Sequence, residues 1–251
     1  MRAILTYHSI DESGSPISID PRVFRSHMEF LADGHPRVVP LADMASGKAP
    51  EESLVLTFDD AFANFHEHAF PILTDLDLPA TVFVVSDHVG GQNDWAAPGL
   101  VHGSVPLLPL MSWEHLATLA ERGVEIGAHT RRHPRLTGLS PAALADEIDG
   151  ATERLEQELQ TRPTAFAYPF GDVNHAVREA VGRTYACACT TELRALARAE
   201  DKLLLPRLDA YYFRSRGQLE QWGSSAFQRR LWLRAQARRV RRLVTSAAVH
   251  A

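Results

Sequence analysis

Leu54-Val55-Leu56-Thr57-Phe58-Asp59-Asp60 is a short apolar run that stops abruptly at two carboxylates. Such a run, bounded by polar residues, reads as a strand. Six others resemble it: Ala3–Tyr7, Ala80–Val85, Val124–Ala128, Ala165–Tyr168, Ala186–Thr190 and Leu203–Leu208. Helix punctuation lies between several of them. Asp20-Pro21 and Ser140-Pro141 each read as an N-cap followed by proline at the first helical position. Ser112 can cap Trp113–Arg122, with Gly123 ending that helix, and the Ser140 helix runs on to about Gln160. Strands alternating with helices predict one α/β domain with a parallel sheet. An open doubly wound sheet and a closed barrel both satisfy that pattern, and the polar residues favour the barrel. His8 follows the first strand, Asp59 and Asp60 the second and His129 the fourth, while Arg207 and Asp209 cluster at the end of the seventh. In a β/α barrel the carboxyl ends of all strands meet at one face.

Composition narrows the classes. The chain has 251 residues, 45% hydrophobic and 23% charged, as a globular protein does. Its two cysteines, Cys187 and Cys189, are one residue apart, which excludes a disulfide framework and a Cys-based zinc site and predicts core packing. No apolar run approaches the roughly 18 residues of a membrane span. The N-terminal stretch meets His8 before a signal-peptide core could finish, so a soluble, cytoplasmic protein is expected. The net charge of −5 hides an asymmetry: from Phe227 onward there are seven arginines and no acid, leaving a net of −12 on the rest. An acidic body is a poor nucleic-acid binder.

The chemistry resides in Asp59-Asp60 and in His129-Thr130-Arg131-Arg132-His133. Histidines four apart share a face if the segment turns helically. A carboxylate from another strand end completes a two-His, one-carboxylate set with positions open for water. A metal held there lowers the pKa of bound water toward ~7 and polarises a carbonyl. One aspartate then binds the metal and its neighbour removes the proton.

Thr57-Phe58-Asp59-Asp60 resembles the first motif of the polysaccharide deacetylase family, the NodB-homology domain of carbohydrate esterase family 4. His129-Thr130-Arg131-Arg132-His133 resembles its second motif and Phe166-Ala167-Tyr168-Pro169-Phe170-Gly171 its third, in the family's order, over roughly Ile4 to Leu208. The resemblance implies a distorted (β/α)7 barrel that removes N-acetyl groups from amino sugars with a divalent metal, usually zinc, with Co2+, Ni2+ or Mn2+ as alternatives. It makes Asp59 the general base, Asp60, His129 and His133 the metal ligands, and the backbone N–H of Phe170 an oxyanion donor. Tyr168 and Pro169 of the third motif, and Asp209, are carried along as substrate-binding candidates.

Two positions depart from the family pattern. Its third motif usually begins with an arginine that orients the base, and here that position is Ala167; Arg207, at another strand end, is the candidate replacement. The family's late Leu-His motif is missing, since no histidine lies between His175 and His250. His8, in Tyr7-His8-Ser9, is similar to the N-terminal Tyr-His of the exopolysaccharide, poly-N-acetylglucosamine branch and becomes the candidate general acid.

The long Ser86–Leu110 connection offers Asn93-Asp94-Trp95 as a polar and aromatic surface for a sugar ring. Residues 1–213 are read as the catalytic domain and 214–251 as a basic helical extension. That extension either packs on the barrel or lies on an anionic surface at the inner face of a membrane. The function expected is removal of N-acetyl groups from a polysaccharide, an oligosaccharide or a lipid-linked glycan precursor. The rivals are an amidohydrolase for a small non-sugar amide and a catalytically silent glycan-binding module.

Overall fold

A computed structural model describes residues 1–95 and 105–249, with side chains described to residue 238. Its strands are β1 (Arg2–Tyr7), β2 (Ser9–Ile10), β3 (Ser18–Ile19), β4 (Arg37–Val38), β5 (Ser53–Phe58), β6 (Ala80–Val84), β7 (Glu125–Ala128), β8 (Ala165–Ala167), β9 (Cys187–Cys189) and β10 (Leu208–Asp209). Seven run parallel in the order β10-β1-β5-β6-β7-β8-β9, with β4 added beside the start of β5 and β2 paired to β3 separately. The helices are α1 (Pro21–Ala32), α2 (Leu41–Ala45), α3 (Phe70–Asp75), α4 (Trp113–Glu121), α5 (Pro141–Leu159), α6 (His175–Thr184) and α7 (Ser225–Val249). Three caps read from the sequence are made: the Asp20, Ser112 and Ser140 side chains accept from the N–H groups of Arg22, His115 and Ala143.

The sheet curls, and its two faces bury two separate clusters. Ile4, Val55, Phe83, Ala165, Ala167, Cys187 and Cys189 pack together on one face, with Leu41 and Met44 of α2. Their neighbours Leu5, Leu54, Leu56, Val82, Val84, Phe166 and Ala188 pack on the other face among the helices. The side-chain period of two produces this split, and it explains why the cysteines alternate with alanine. Gly127 sits where a Cβ would come within 2.6 Å of the Phe83 ring, so its lack of a side chain is what lets Phe83 fill the barrel.

The expected seventh strand, Leu203–Leu208, is split in two. Leu205 bridges β9, with its N–H donating to Ala188 O and its O accepting from Thr190 N–H. After Pro206, which has no N–H to continue the ladder, only Leu208 and Asp209 pair, and with β1. One segment thus touches both ends of the sheet and closes the barrel. The chain beyond it stays on the same core: Leu219, Phe227 and Leu231 belong to the outer cluster, and the Phe227 ring stacks on Phe213 at 5.2 Å.

Candidate active site

With all strands parallel, their carboxyl ends share one rim, and the inward period continues past them. Thr6 leads to His8 on β1, Thr57 to Asp59 on β5, and Gly127 to His129 on β7. Asp59 is 3% exposed and Arg207 1%. Arg207 Nη1 donates to Asp59 Oδ1 at 2.6 Å and Nη2 to Oδ2 at 2.7 Å, a two-pronged pair. The rest of the guanidinium is held by Thr190 O, Thr6 Oγ1 and Thr57 Oγ1, and it lies over the Phe83 ring. Burial alone would raise the Asp59 pKa, but the charge and hydrogen bonds of Arg207, with His129 near, hold it well below the usual carboxylate range. Ala167, at the third-motif position, faces the barrel interior and brings its carbonyl to the site, while the guanidinium that meets Asp59 comes from Arg207.

That carbonyl accepts from His129 Nδ1 at 2.7 Å, which leaves Nε2 as the bare nitrogen. His129 Nε2 and His133 Nε2 are 3.2 Å apart, and each is 3.5 Å from Asp60 Oδ1. Although buried, Asp60 Oδ1 has no hydrogen-bond donor. Burial raises the Asp60 pKa, and burial together with His129 drives that of His133 well down. Two imidazole nitrogens and an orphaned carboxylate oxygen within 4.8 Å of one another suit a divalent cation, which would compensate the buried carboxylate.

The segment that carries the histidines is not helical. Thr130 and His133 both have positive φ, 67° and 62°, and the Thr130 hydroxyl accepts from His133 N–H across the turn. A tight turn rather than a shared helix face brings the two rings together. Asp60, Ala61 and Phe170 also have φ between 58° and 71°. Five of the described non-glycine residues in this costly region therefore surround one site, as preorganised sites commonly show.

His8 Nε2 lies 3.7 Å from Asp59 Oδ2, with the side chain 27% exposed. The Phe170 ring packs on His133 at 4.6 Å, Trp95 covers the same histidine at 4.7 Å, and Arg135 lies 4.9 Å over Phe170. Other expected substrate contacts are spent elsewhere. Tyr168 is fully buried in the outer cluster with its hydroxyl donating to Leu203 O, because the period of two turns it away from the barrel. Pro169 is buried as well. The amide of Asn93 bonds Pro106 O and Leu108 N–H, closing its own loop, while Asp94 pairs with His88 and Asp209 caps Tyr211 N–H. Residues 96–104 of that loop lie outside the described residues.

Residues 46–185 match the family model described as polysaccharide deacetylase. The chain belongs to the polysaccharide deacetylase family. It is a hydrolase, with the deacetylation chemistry after which that family is named. YxkH of Bacillus subtilis, a protein named for the same family, is 28% identical over 211 residues, 82% of this chain and 70% of its own length. A poly-beta-1,6-N-acetyl-D-glucosamine N-deacetylase of Staphylococcus epidermidis is 23% identical over 205 residues, 76% of this chain and 67% of its own. Among solved structures, IcaB from Ammonifex degensii superposes with a TM-score of 0.69 at 23% identity, covering 83% of this chain and 93% of that one. The likeness in three dimensions establishes the barrel.

Sequence reading of this family member missed the groups that hold its site. Thr6, Thr57 and Thr190 grip Arg207, and Glu147 accepts backbone N–H groups of the His129–His133 turn. A signal existed for Glu147 alone, as a carboxylate on the apolar stripe of α5. The threonines look like ordinary strand residues.

Proposed function

We propose that the chain removes N-acetyl groups from amino-sugar residues of a β-linked N-acetylglucosamine polymer, with residues 1–213 as the catalytic domain. The observation that carries this is the pairing of Asp59 with Arg207 beside the Asp60–His129–His133 cluster. Asp60 Oδ1, His129 Nε2 and His133 Nε2 would hold a divalent metal, with zinc first among the candidates. When bound, the metal supplies Lewis-acid polarisation of the acetyl carbonyl and a lowered pKa for water. Arg207 keeps Asp59 ionised and fixed in orientation, so a carboxylate oxygen takes the proton from attacking water. The backbone N–H of Phe170 donates to the oxyanion of acyl transfer. His8 Nε2 then gives its proton to the departing amine nitrogen, leaving acetate and a free amino sugar. Trp95 supplies the aromatic wall for the sugar ring.

The polymer reading rests on the names of the staphylococcal relatives, and a lipid-linked sugar is the narrower alternative. No helix among the described residues is long and apolar enough to cross a membrane. Residues 214–251 are proposed as a basic extension that braces the barrel. Three of its arginines are turned onto residues 1–213: Arg214 over the Tyr211 ring, and Arg234 and Arg238 over the Tyr212 ring. Trp232 and Leu233, 60% and 55% exposed, are the groups that favour contact with an anionic lipid surface. Vesicle co-sedimentation unchanged by deleting 227–251 would remove that contact.

The test of function is acetate release from β-1,6-linked N-acetylglucosamine oligomers by chelator-treated protein, before and after zinc is returned. Zinc-dependent release is expected. Release from small non-sugar amides alone would transfer the function to the amidohydrolase class. Bound metal without release from either would leave a lipid-linked sugar substrate or the glycan-binding reading.

A further inference from the structure

Glu147 is a charged side chain on the buried face of its helix. The buried positions of α5 are Leu144, Glu147, Ile148, Ala151, Thr152 and Leu155, an apolar stripe with one carboxylate set into it. That carboxylate is 4% exposed and fully engaged. Its Oε2 accepts the backbone N–H of Arg131 at 3.0 Å and of Arg132 at 2.9 Å, and its Oε1 accepts Arg132 Nη1 at 2.9 Å. The two N–H groups belong to the middle of the His129–His133 turn, between the positive-φ residues Thr130 and His133. Inside the turn the Thr130 hydroxyl spans one side only. Among the described residues, the neighbouring Asp146 accepts from the guanidinium groups of Arg131 and Arg132 and from no backbone N–H. Gly150, one turn further along α5, makes room for the Arg131 side chain, since a Cβ there would lie 2.6 Å from Arg131 Cδ.

We propose that Glu147 is a positioning residue for the metal cluster: by holding two consecutive backbone N–H groups from below, it keeps the strained turn in the shape that aims both imidazole Nε2 atoms at one point. The proposal rests on Asp60, His129 and His133 being the ligands. With the N–H groups of Arg131 and Arg132 unpaired, and the turn's backbone held through the Thr130 and Arg131 carbonyls that accept from Ser86 and Asp87 N–H, the turn would relax toward ordinary negative φ and swing His133 away from His129. The carboxylate touches neither substrate nor metal, so its effect appears first in metal affinity.

The test compares metal-free wild type with Glu147→Leu, Glu147→Gln, Glu147→Asp and Asp146→Asn. Zinc affinity is measured against a competing chelator, the visible spectrum is recorded with cobalt bound, and the metal-free melting curve reports folding. Glu147→Leu is expected to bind zinc about 10- to 100-fold more weakly, the range typical of lost outer support at metal sites, with an altered cobalt spectrum. Glu147→Gln keeps an oxygen that can accept both N–H groups and should restore most of the affinity. Glu147→Asp keeps the charge but falls one methylene short, and should bind more weakly than the Gln variant. Asp146→Asn should match wild type. Wild-type affinity and spectrum in a folded Glu147→Leu protein would overturn the proposal, as would equal weakening by Asp146→Asn. Should Glu147→Leu fail to fold, the order of the Asp and Gln variants decides, and Asp binding more tightly than Gln overturns it. A wild type that binds neither ion overturns the ligand assignment itself, which is a different failure.

Discussion

Replacing Arg207 by methionine keeps most of the side-chain volume and removes the guanidinium that meets Asp59 in a two-pronged pair. Asp59 is 3% exposed, so its carboxylate would remain in the barrel with only His8, 3.7 Å away, and His129 to offset its charge. Breaking one partner of a buried pair costs about 3–5 kcal/mol. A carboxyl in that position can escape the cost by binding a proton, because burial by itself raises its pKa. The sign of the pH dependence then reverses. In wild type the folded pKa lies below the unfolded value of about 3.9, so the pair's stabilisation is present above that pH and lost as acid protonates Asp59 in the folded protein. In Arg207→Met the burial effect is expected to outweigh the pull of His129 and His8 and raise the folded pKa above the unfolded one, so stability should fall as pH rises from about 4 toward neutrality. Urea unfolding of the metal-free proteins at pH 4.5 and 7 measures this directly. Activity should drop by about 100-fold or more at pH 7, with the acid limb of the pH–rate profile displaced upward, since a protonated Asp59 cannot act as base. The double variant Arg207→Met/Asp59→Asn should regain most of the stability and none of the activity. Wild-type turnover with an unchanged profile in Arg207→Met, or a loss of stability under about 1 kcal/mol, would refute the reasoning.

Asp59→Asn should abolish acetate release while zinc stays bound, whereas His129→Ala should lose both; metal analysis beside the activity assay separates them. His8→Ala should lower kcat by about 100-fold with zinc content unchanged, as loss of a proton donor predicts, and a normal rate would exclude His8 as the acid. His27, away from the site, is pushed down to about 4 by burial, against the opposing pull of Glu220 and of the Phe213 carbonyl. Its neutral form accepts from Tyr7 Oη and donates to Phe213 O. The unfolded histidine near pH 6.5 binds protons that the folded one refuses, so acidification from about 6.5 to about 4 should cost up to about 3 kcal/mol. Denaturant titrations across that window should show a slope that His27→Gln flattens.

The strands, the three capped helices and the placing of Asp59, Asp60, His8 and His129 at strand ends were legible because they depend on neighbours two to four residues away. Alternation along β1, β5 and β7 is a local property, and it continues past each strand end to aim His8, Asp59 and His129 inward, whereas Asp60 reaches the site from a positive-φ backbone. The same alternation turned Tyr168 outward, so a motif residue adjacent to the site does not thereby face it. The two histidines met through a strained turn where helical spacing was expected, since the positive φ of Thr130 and His133 leaves no trace in residue type. Arg207 was a candidate by position alone; its reach to Asp59, across 148 residues of sequence, exists only once Leu205 and Leu208 close the barrel. Arg234 and Arg238 belonged to a charged tail until folding laid them on Tyr212. Periodicity and capping are decided by adjacent residues, so the chain itself specified its strands, its helix starts and the chemistry at its strand ends. Which buried charge meets which, and which backbone group a distant carboxylate holds, depends on contacts that form only when the sheet has curled, and the tertiary structure alone decided them.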